Sequence, residues 1–288
     1  MIFCRFKSPI QKITFSGFIS YRILLKQSYS TCIVGAGPSG FYTAKYLLEA
    51  SKENKVTLLE STAFPFGLVR TGVAPDHQEM KSVTTDFTAI AEHPRFNYFG
   101  NYTLNSAKDL FSLRSNFDAV VLACGAARSK KMGIPKENEI KNVFTAKEFV
   151  NWYNGVSPEA TPDLTGKHAI IVGNGNVALD CARILAKTEQ ELYPHDVPEY
   201  ALKTLRKKQI EKISIIGRRG HLDSAFTLKE LRSLTRLKNF DLLVDDIPMG
   251  TVTENKGLQR MLKVLEQHLV SNSQKVIHLR YHMNPTEL

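Results

Sequence analysis

The stretch TCIVGAGPSG, residues 31–40, decides how this chain of 288 residues folds. Its first four residues predict a short buried strand, and residues 41–50 carry apolar side chains along one side of a predicted helix. The turn that joins the strand to the helix has the pattern Gly-x-Gly-x-x-Gly, formed by Gly35, Gly37 and Gly40. Such glycines allow a tight turn, the approach of a pyrophosphate and close helix–strand packing. The stretch therefore predicts the opening of a dinucleotide-binding fold.

A carboxylate strengthens this interpretation. Glu60 ends the next predicted strand, residues 55–60, and lies twenty residues after Gly40. In dinucleotide-binding folds an acidic residue at this place accepts hydrogen bonds from ribose hydroxyls. A glycine pattern alone is a weak signal, and a turn without a ligand is the alternative. The combination of strand, turn, helix, strand and carboxylate favours a nucleotide site.

A second glycine turn, GNGNVA at residues 173–178, follows a predicted strand at residues 169–172 and precedes a predicted helix through Asp180. The next predicted strand, residues 212–217, ends in Arg218 and Arg219 instead of a carboxylate. Two guanidinium groups would bind the 2′-phosphate of NADP, which an acidic residue would repel. The pattern predicts NADP and not NAD. A solvated arginine pair is the alternative, since the spacing requires a helical insertion around residues 186–211.

Two nucleotide sites with opposite charge preferences indicate hydride transfer between two cofactors, and flavin with NADPH is the simplest pairing. Such chemistry requires no metal and no nucleophile. A strand near residues 117–124 and a helix near residues 145–153 extend the alternation of strands and helices. An amphipathic stretch at 262–271 and a strand at 275–279 follow later. The predicted fold class is α/β, with two Rossmann-like nucleotide-binding domains.

The net charge of +10 is concentrated at one end. Residues 1–29 carry five basic side chains, no Asp or Glu, and several serines and apolar residues, which is typical of an organelle transit peptide. A frayed basic tail is the alternative. Removing this segment would leave a net charge of +5, so the charge does not indicate nucleic-acid binding. Its apolar runs are interrupted well before the length that spans a bilayer.

The cysteine positions argue against several redox classes. Cys4, Cys32, Cys124 and Cys181 are scattered, and none forms a Cys-x-x-Cys pair. We expect reduced structural thiols. The pattern disfavours a disulfide reductase or the iron–sulfur centres of a glutamate synthase subunit.

Seven blocks occur along the chain in a fixed order: PFGLVR at 65–70, GVAPDH at 72–77, WYNG at 152–155, GNVALD at 175–180, GRRG at 217–220, AFT at 225–227 and KELR at 229–232. Together they resemble the adrenodoxin-type NADPH-ferredoxin reductases, over roughly residues 30–265. The resemblance implies hydride transfer from NADPH to FAD, followed by single-electron transfer to an acidic 2Fe-2S ferredoxin.

The same resemblance implies roles for individual residues. The positions for FAD are Gly35, Gly37, Ser39, Gly40, Glu60, Leu68 and Leu104. The positions for NADP are Asn174, Gly175, Asn176, Val177, Arg218, Arg219 and Glu230. Arg232, Lys256 and Arg260 fall where the family presents basic residues to its ferredoxin, although an ordinary exposed helix face is the alternative for the last two.

His77 and Asp180 lie in blocks that border the flavin and nicotinamide sites of the family. We expect them to position and polarise the site, because hydride transfer to a flavin depends on stacking and distance and needs no acid or base. For His77 the alternative is a histidine that stabilises the loop after Pro75.

The predicted organisation is a mitochondrial transit peptide at 1–29, an FAD-binding domain at 30–135 and an NADP-binding domain at 136–288. The resemblance implies the mitochondrial matrix, with peripheral association with the inner membrane. It also implies service to haem-thiolate cytochromes or to iron–sulfur cluster and haem A synthesis.

Relatives in this family continue beyond the NADP domain and return to complete the flavin domain, and we expect this chain to lack that return segment. Three hypotheses follow. The chain is a fragment or partial form of an active reductase, a short product that retains only NADP binding, or a different flavoprotein oxidoreductase. His221 stands where the family usually has proline.

Overall fold

The computed structural model describes residues 28–126, 128–159, 161–245, 247 and 253–287. The predicted transit peptide lies outside these residues except for Ser28 and Tyr29. The chain divides into two compact units. Of the described residues, the first unit comprises those up to Val73 together with those of His77–Arg128, and the second comprises Ala74–Asp76 together with those from Ser129 onward. No helix in the described ranges is long and apolar enough to span a bilayer.

The first unit contains a parallel sheet of four strands in the order β3-β2-β1-β4. Parallel strands need crossover connections, and helices supply most of them here. Its strands are β1 Ser30–Val34, β2 Lys55–Leu59, β3 Phe96–Phe99 and β4 Ala119–Leu122, and its helices are α1 Pro38–Ala50, α2 Leu68–Thr71, α3 Val83–Ala91 and α4 Ala107–Asn116. A short 3-10 helix, Gln78–Ser82, precedes α3.

Aromatic packing forms the core on one side of this sheet. The ring of Phe41, on α1, stacks on Phe87 with centroids 4.9 Å apart and meets Phe66 edge-on at 5.1 Å. Phe96 packs against the same ring at 5.8 Å. Such pairs stabilise beyond the apolar area that they bury. The helix after the first glycine turn is thereby fixed against β1 and its neighbours.

The second unit has its own parallel sheet, in the order β5-β6-β8-β7. Its strands are β5 His168–Val172, β6 Lys212–Ile216, β7 Asp241–Val244 and β8 Val276–Arg280. Its helices are α5 Ala146–Tyr153, α6 Asn176–Ala186, α7 Glu189–Leu192, α8 Glu199–Arg206, α9 Leu228–Leu234 and α10 Lys256–Leu265, with 3-10 helices at His221–Asp223 and Glu266–His268. The α/β fold class with two nucleotide-binding-type units is confirmed, and α7 and α8 occupy the predicted insertion.

Two predicted elements were wrong in extent. The strand expected at 117–124 is shorter, Ala119–Leu122, because Phe117 closes α4 and the pairing with β1 ends where Val34 meets Leu122. The amphipathic stretch expected at 262–271 is the helix α10, which begins six residues earlier and ends at Leu265. Asn255 caps α10 by accepting from the backbone N–H groups of Gly257 and Leu258.

Candidate functional site

The first glycine turn is built so that two of its positions accept only glycine. Gly35 has a φ of 110°, and a Cβ there would lie 2.4 Å from the carbonyl oxygen of Ala123. A Cβ on Gly40 would lie 2.0 Å from the carbonyl oxygen of Gly35. Gly37 differs, since the space around its missing Cβ is open to 4 Å. Helix α1 starts directly after it without a side-chain cap, which leaves backbone N–H groups for an anion.

Glu60 follows β2 and is joined to this turn. Its Oε2 accepts from the backbone N–H of Ala36 at 2.7 Å, and its Oε1 accepts from the hydroxyl of Ser61 at 2.8 Å and the N–H of Thr62 at 3.1 Å. Partial burial raises the pKa of Glu60, but these hydrogen bonds outweigh burial and hold the pKa below its ordinary value. The carboxylate is therefore ionised at neutral pH.

The segment before α2 packs directly on the first turn. The N–H of Phe66 donates to the carbonyl of Ala36 at 2.8 Å. Gly67 has a φ of 49°, and a Cβ on it would lie 2.9 Å from the Cα of Gly37. In the sequence, this block is assigned only through its resemblance to the family. The signal that could have assigned its place is the Phe-Gly pair, since glycine marks a close backbone approach.

The other predicted residues of the first unit differ in exposure. Ser39 is exposed in the first turn of α1, and Leu68 is 68% exposed although apolar. Leu104 is half-buried and packs beside β4. His77 is buried immediately before the 3-10 helix. An exposed leucine next to the glycine turn offers an apolar contact to a ligand.

The second glycine turn is more open than the first. Gly173 has a φ of 130°, yet a Cβ on Gly173 or Gly175 would meet no atom within 4 Å. Helix α6 begins at Asn176 without a side-chain cap, as α1 does after its own turn. The third small position is Ala178, which is buried. This turn again leaves backbone donors at a helix start.

Polar contacts join the second turn to the loop after β6. The carbonyl of Asn174 accepts from the N–H of Ala225 at 2.9 Å, and the Oδ1 of Asn176 accepts from the N–H of Thr227 at 2.7 Å. The Nδ2 of Asn174 donates to the hydroxyl of Ser224 at 3.4 Å, and its Oδ1 is buried without a hydrogen-bond partner among the described residues. Val177 is exposed.

The arginine pair lies at the start of that same loop. Arg218 and Arg219 follow β6 after Gly217, and both side chains are exposed. The N–H of Gly173 donates to the carbonyl of Ile216 at 2.9 Å, which brings the end of β6 to the glycine turn. The structure thus places the predicted turn residues and the two guanidinium-bearing residues at one edge of one sheet.

Arg183 organises a buried ion cluster in the second unit. Its Nε and Nη2 donate to the two carboxylate oxygens of Asp76 at 2.7 and 2.9 Å. Its Nη1 lies 2.7 Å from Asp180 and 3.3 Å from Glu230, while Lys187 also donates to Asp76 at 2.7 Å. Two predicted site residues, Asp180 and Glu230, therefore share one guanidinium. Sequence reasoning missed Arg183 and Asp76, since the two are distant along the chain.

Burial by itself raises the pKa of Asp76. The hydrogen bonds and charges of Arg183 and Lys187 outweigh that effect, so the pKa lies well below its ordinary range. Because the side chains of Asp76 and Arg183 are 1% and 2% exposed, loss of either one would leave the buried charge of the other only partly compensated by the remaining members of the cluster.

The three predicted partner residues lie on two neighbouring helices. Arg232 is exposed on α9, and Lys256 and Arg260 are exposed on α10. The two helices pack against each other within the second unit. The exposed basic side chains of this pair of helices can attract an acidic surface.

Two units that each contain a strand, a glycine turn and an uncapped helix in succession define a protein of the dinucleotide-binding α/β class. The sequence profile of the pyridine nucleotide-disulphide oxidoreductase family matches residues 29–233. The chain belongs to this family. Its cysteines within the described residues, Cys32, Cys124 and Cys181, are all unbridged.

Relatives with described activities confirm the resemblance to the adrenodoxin-type reductases. The chain is 46% identical over 212 residues to the mitochondrial NADPH:adrenodoxin oxidoreductase of Drosophila melanogaster, a match covering 73% of this chain and 45% of the relative. The mitochondrial NADPH:adrenodoxin oxidoreductase of Arabidopsis thaliana is 44% identical over 216 residues, covering 74% and 44%. The chain thus spans about half the length of the curated relatives that it matches.

A solved structure agrees with this assignment. FprA, an oxidoreductase of Mycobacterium tuberculosis, superimposes with a TM-score of 0.81 at 36% identity, covering 88% of this chain and 59% of FprA. A second structure of FprA, with the same TM-score and coverage, is a complex with NADPH.

Proposed function

We propose that this chain provides the FAD and NADPH turns of an NADPH-ferredoxin reductase. The main support is that side chains of opposite charge follow the second strand of the two units. Glu60 is an ionised carboxylate beside the first glycine turn, whereas Arg218 and Arg219 stand beside the second. A carboxylate suits free ribose hydroxyls, and a guanidinium pair suits a 2′-phosphate. Two different nucleotides in one chain imply hydride transfer between them.

The first unit would hold FAD. The open space at Gly37 and the uncapped start of α1 fit a pyrophosphate, with Gly35, Ser39 and Gly40 forming the turn around it. Glu60 would accept from ribose hydroxyls, and Leu68 and Leu104 would supply apolar contacts. When bound, FAD accepts a hydride and releases electrons one at a time. The protein binds and orients it.

The second unit would hold NADPH. The open positions Gly173 and Gly175 and the start of α6 fit its pyrophosphate, and Asn174 would lie beside it in the turn. Asn176 and Val177 would line the same turn. Arg218 and Arg219 would bind the 2′-phosphate.

Glu230 and Asp180 extend this proposal. Arg183 pairs with both carboxylates, which keeps them ordered at the proposed nicotinamide nucleotide site. Asp180 and His77 would act as positioning residues, because the chemistry itself requires alignment and no proton donor. Unchanged flavin reduction by NADPH in Asp180→Asn and His77→Gln variants would contradict that role.

The domains, location and partner that we propose are based on the similarity to the reductases. Residues 30–135 would be the FAD domain, residues 136–288 the NADP domain and residues 1–29 a mitochondrial transit peptide. The exposed basic side chains on α9 and α10, Arg232, Lys256 and Arg260, would steer an acidic 2Fe-2S ferredoxin in the matrix. Peripheral association with the inner membrane, and service to haem-thiolate cytochromes or to iron–sulfur and haem A synthesis, are further parts of it.

Absorption spectroscopy of the purified chain tests the proposal. A flavin spectrum that bleaches on anaerobic addition of NADPH supports a working hydride site. Nucleotide binding without flavin would instead favour an NADP-binding protein without reductase activity. Binding of neither would contradict both.

Variants separate the two sites. Replacing Arg218 and Arg219 together by alanine should weaken NADPH at least about tenfold and leave NADH unchanged, because charge-assisted hydrogen bonds to the phosphate are lost. Glu60→Ala should lower flavin content and leave NADPH binding intact. Arg114→Ala, on exposed surface of the first unit, is the matched control and should change neither.

A further inference from the structure

A histidine lies against the loop that carries the arginine pair. After β8 the chain turns through His282, which has a φ of 54°. The N–H of His282 donates to the carbonyl of Arg219 at 3.3 Å, and the N–H of Met283 donates to the carbonyl of Gly217 at 3.0 Å. Two backbone hydrogen bonds therefore attach the turn after β8 to Gly217 and Arg219, the residues on either side of Arg218.

The imidazole of His282 packs on the backbone next to Arg219. A Cβ on Gly220 would lie 3.0 Å from the Nε2 and 3.1 Å from the Cε1 of His282. The absence of a side chain at Gly220 thus makes room for the ring. The side chain of His282 is otherwise exposed, so a ligand of the loop can reach it.

His221 follows Gly220 in the chain, and its ring is less accessible to a ligand than that of His282. Its Nε2 is buried and has no hydrogen-bond partner among the described residues. Burial and the nearness of His282 both lower the pKa of His221, so this ring is neutral at neutral pH. His221 therefore offers no charge to an anion on this surface.

The neighbouring groups leave the surface positive. Asp223 is the carboxylate of this loop, and its Oδ1 lies 3.4 Å from the Nη1 of Arg219. Asp245 accepts from the backbone N–H of Tyr281 at 3.2 Å and is paired with His278 at 2.7 Å and Arg280 at 3.8 Å.

Tyr281 adds no charge to this surface. Its hydroxyl lies 3.2 Å from that of Ser224. Burial raises the pKa of Tyr281, so the phenol stays protonated. Arg218, Arg219 and His282 are therefore the cationic or ionisable groups that this surface offers to an anion.

We propose that His282 is a third anion-binding group of this site and makes the preference for the 2′-phosphorylated nucleotide depend on pH. The inference rests on the proposed binding of NADP at the arginine pair. A phosphate dianion favours the charged imidazolium, so binding should draw a proton onto the ring. The gain in affinity is present at low pH and is lost as the pH rises and the ring becomes neutral in the complex.

Calorimetric titration of the full chain with NADP⁺ and NAD⁺, between about pH 6 and about pH 8.5, tests the proposal. His282→Asn is the variant, because asparagine also tolerates a positive φ but does not titrate. Across this range the ratio of NADP⁺ affinity between wild type and variant should fall about tenfold, the effect of one order of magnitude in proton affinity. The second ionisation of the phosphate is common to both proteins and cancels in the ratio.

A measurement of proton uptake and a control variant accompany the titration. In buffers of different ionisation enthalpy, wild type should take up a proton on binding NADP⁺ near neutral pH, and His282→Asn should take up less. His168→Gln, at the opposite end of the second sheet, should behave as wild type. NAD⁺ binding should not distinguish the variants.

The possible failures are distinguishable. If wild type binds NADP⁺ but the affinity ratio does not change with pH, the role of His282 is wrong and the proposed function stands. If alanine at both Arg218 and Arg219 leaves NADP⁺ binding unchanged, or wild type binds no NADP⁺, the proposed NADP site is wrong and the role of His282 falls with it.

Discussion

The two glycine turns share one pattern but are closed by different means. In the first, β1 is an inner strand between β2 and β4, and the backbone of the turn packs so tightly that Gly40 touches Gly35. In the second, β5 is an edge strand that pairs with β6 in the described sheet, and Ala178 fits at the third position. Asparagine, serine and tyrosine side chains close this second turn. The motif fixes the start of the helix, and its surroundings decide how much change it tolerates.

The charge that follows each turn is independent of the turn itself. A carboxylate completes the first and an arginine pair the second, although both follow the second strand of a parallel sheet. The glycines thus set where a phosphate can approach, and the residue after the second strand selects the nucleotide.

The largest expected difference between the turns is at the third small residue. Gly40→Ala should destabilise the first unit by about 3 kcal/mol or more, since the new Cβ would overlap a backbone oxygen. Ala178→Gly should cost only about 1 kcal/mol in α6. Urea unfolding followed by circular dichroism measures both. The fluorescence of Trp152, the sole tryptophan, reports the second unit. Equal costs would contradict the contrast between tight and open turns.

The next effect concerns the buried ions of the second unit. Asp76→Asn should destabilise it by about 3 kcal/mol at neutral pH, because Arg183 would lose its bidentate partner. Since the folded-state pKa of Asp76 is depressed, its contribution is complete above the unfolded pKa of about 3.9 and is lost as the pH falls below that value.

Urea unfolding monitored by Trp152 should therefore show a constant difference between wild type and Asp76→Asn from about pH 7 to about pH 5, and a smaller one below about pH 4. The exposed Asp223→Asn is the control and should change little. A difference that grows on acidification would refute this assignment.

The smallest effect compares the two strands. Ile33 on β1 is fully buried, whereas Ile170 on β5 is 62% exposed. Ile33→Val should cost about 1 kcal/mol, and Ile170→Val less than about 0.5 kcal/mol. Thermal unfolding of the two variants provides the measurement. A larger cost at Ile170 would mean that this face of β5 is covered in solution.

Local patterns predicted much of the fold because strand, turn and helix signals lie within twenty residues of one another. The blocks around Gly35 and Gly173 were therefore correctly placed. Strands β3 and β7 were missed, because each has four residues and mixed polarity, and so were the helices α3, α4 and α9. Their capping signals, such as Ser106 before α4 with Asp109 in its first turn, could have indicated some of them.

Long-range contacts set the limit of what the sequence could predict about the site. The turn residues and the arginine pair were expected together, and the structure places them at one sheet edge. The bond between Asp76 and Arg183 joins residues 107 positions apart, and no local pattern indicates it. The edge position of β5 likewise depends on pairings formed across the whole second unit.

Residues Ala74–Asp76 limit where the chain can be divided. These three residues belong to the second unit, although the chain on both sides of them belongs to the first. A shortened chain beginning at Ser129 would contain every strand of the second sheet but would leave Arg183 without Asp76. The second unit is therefore not a continuous module. Exchange of this half between related proteins by recombination should succeed only when residues 74–76 travel with it.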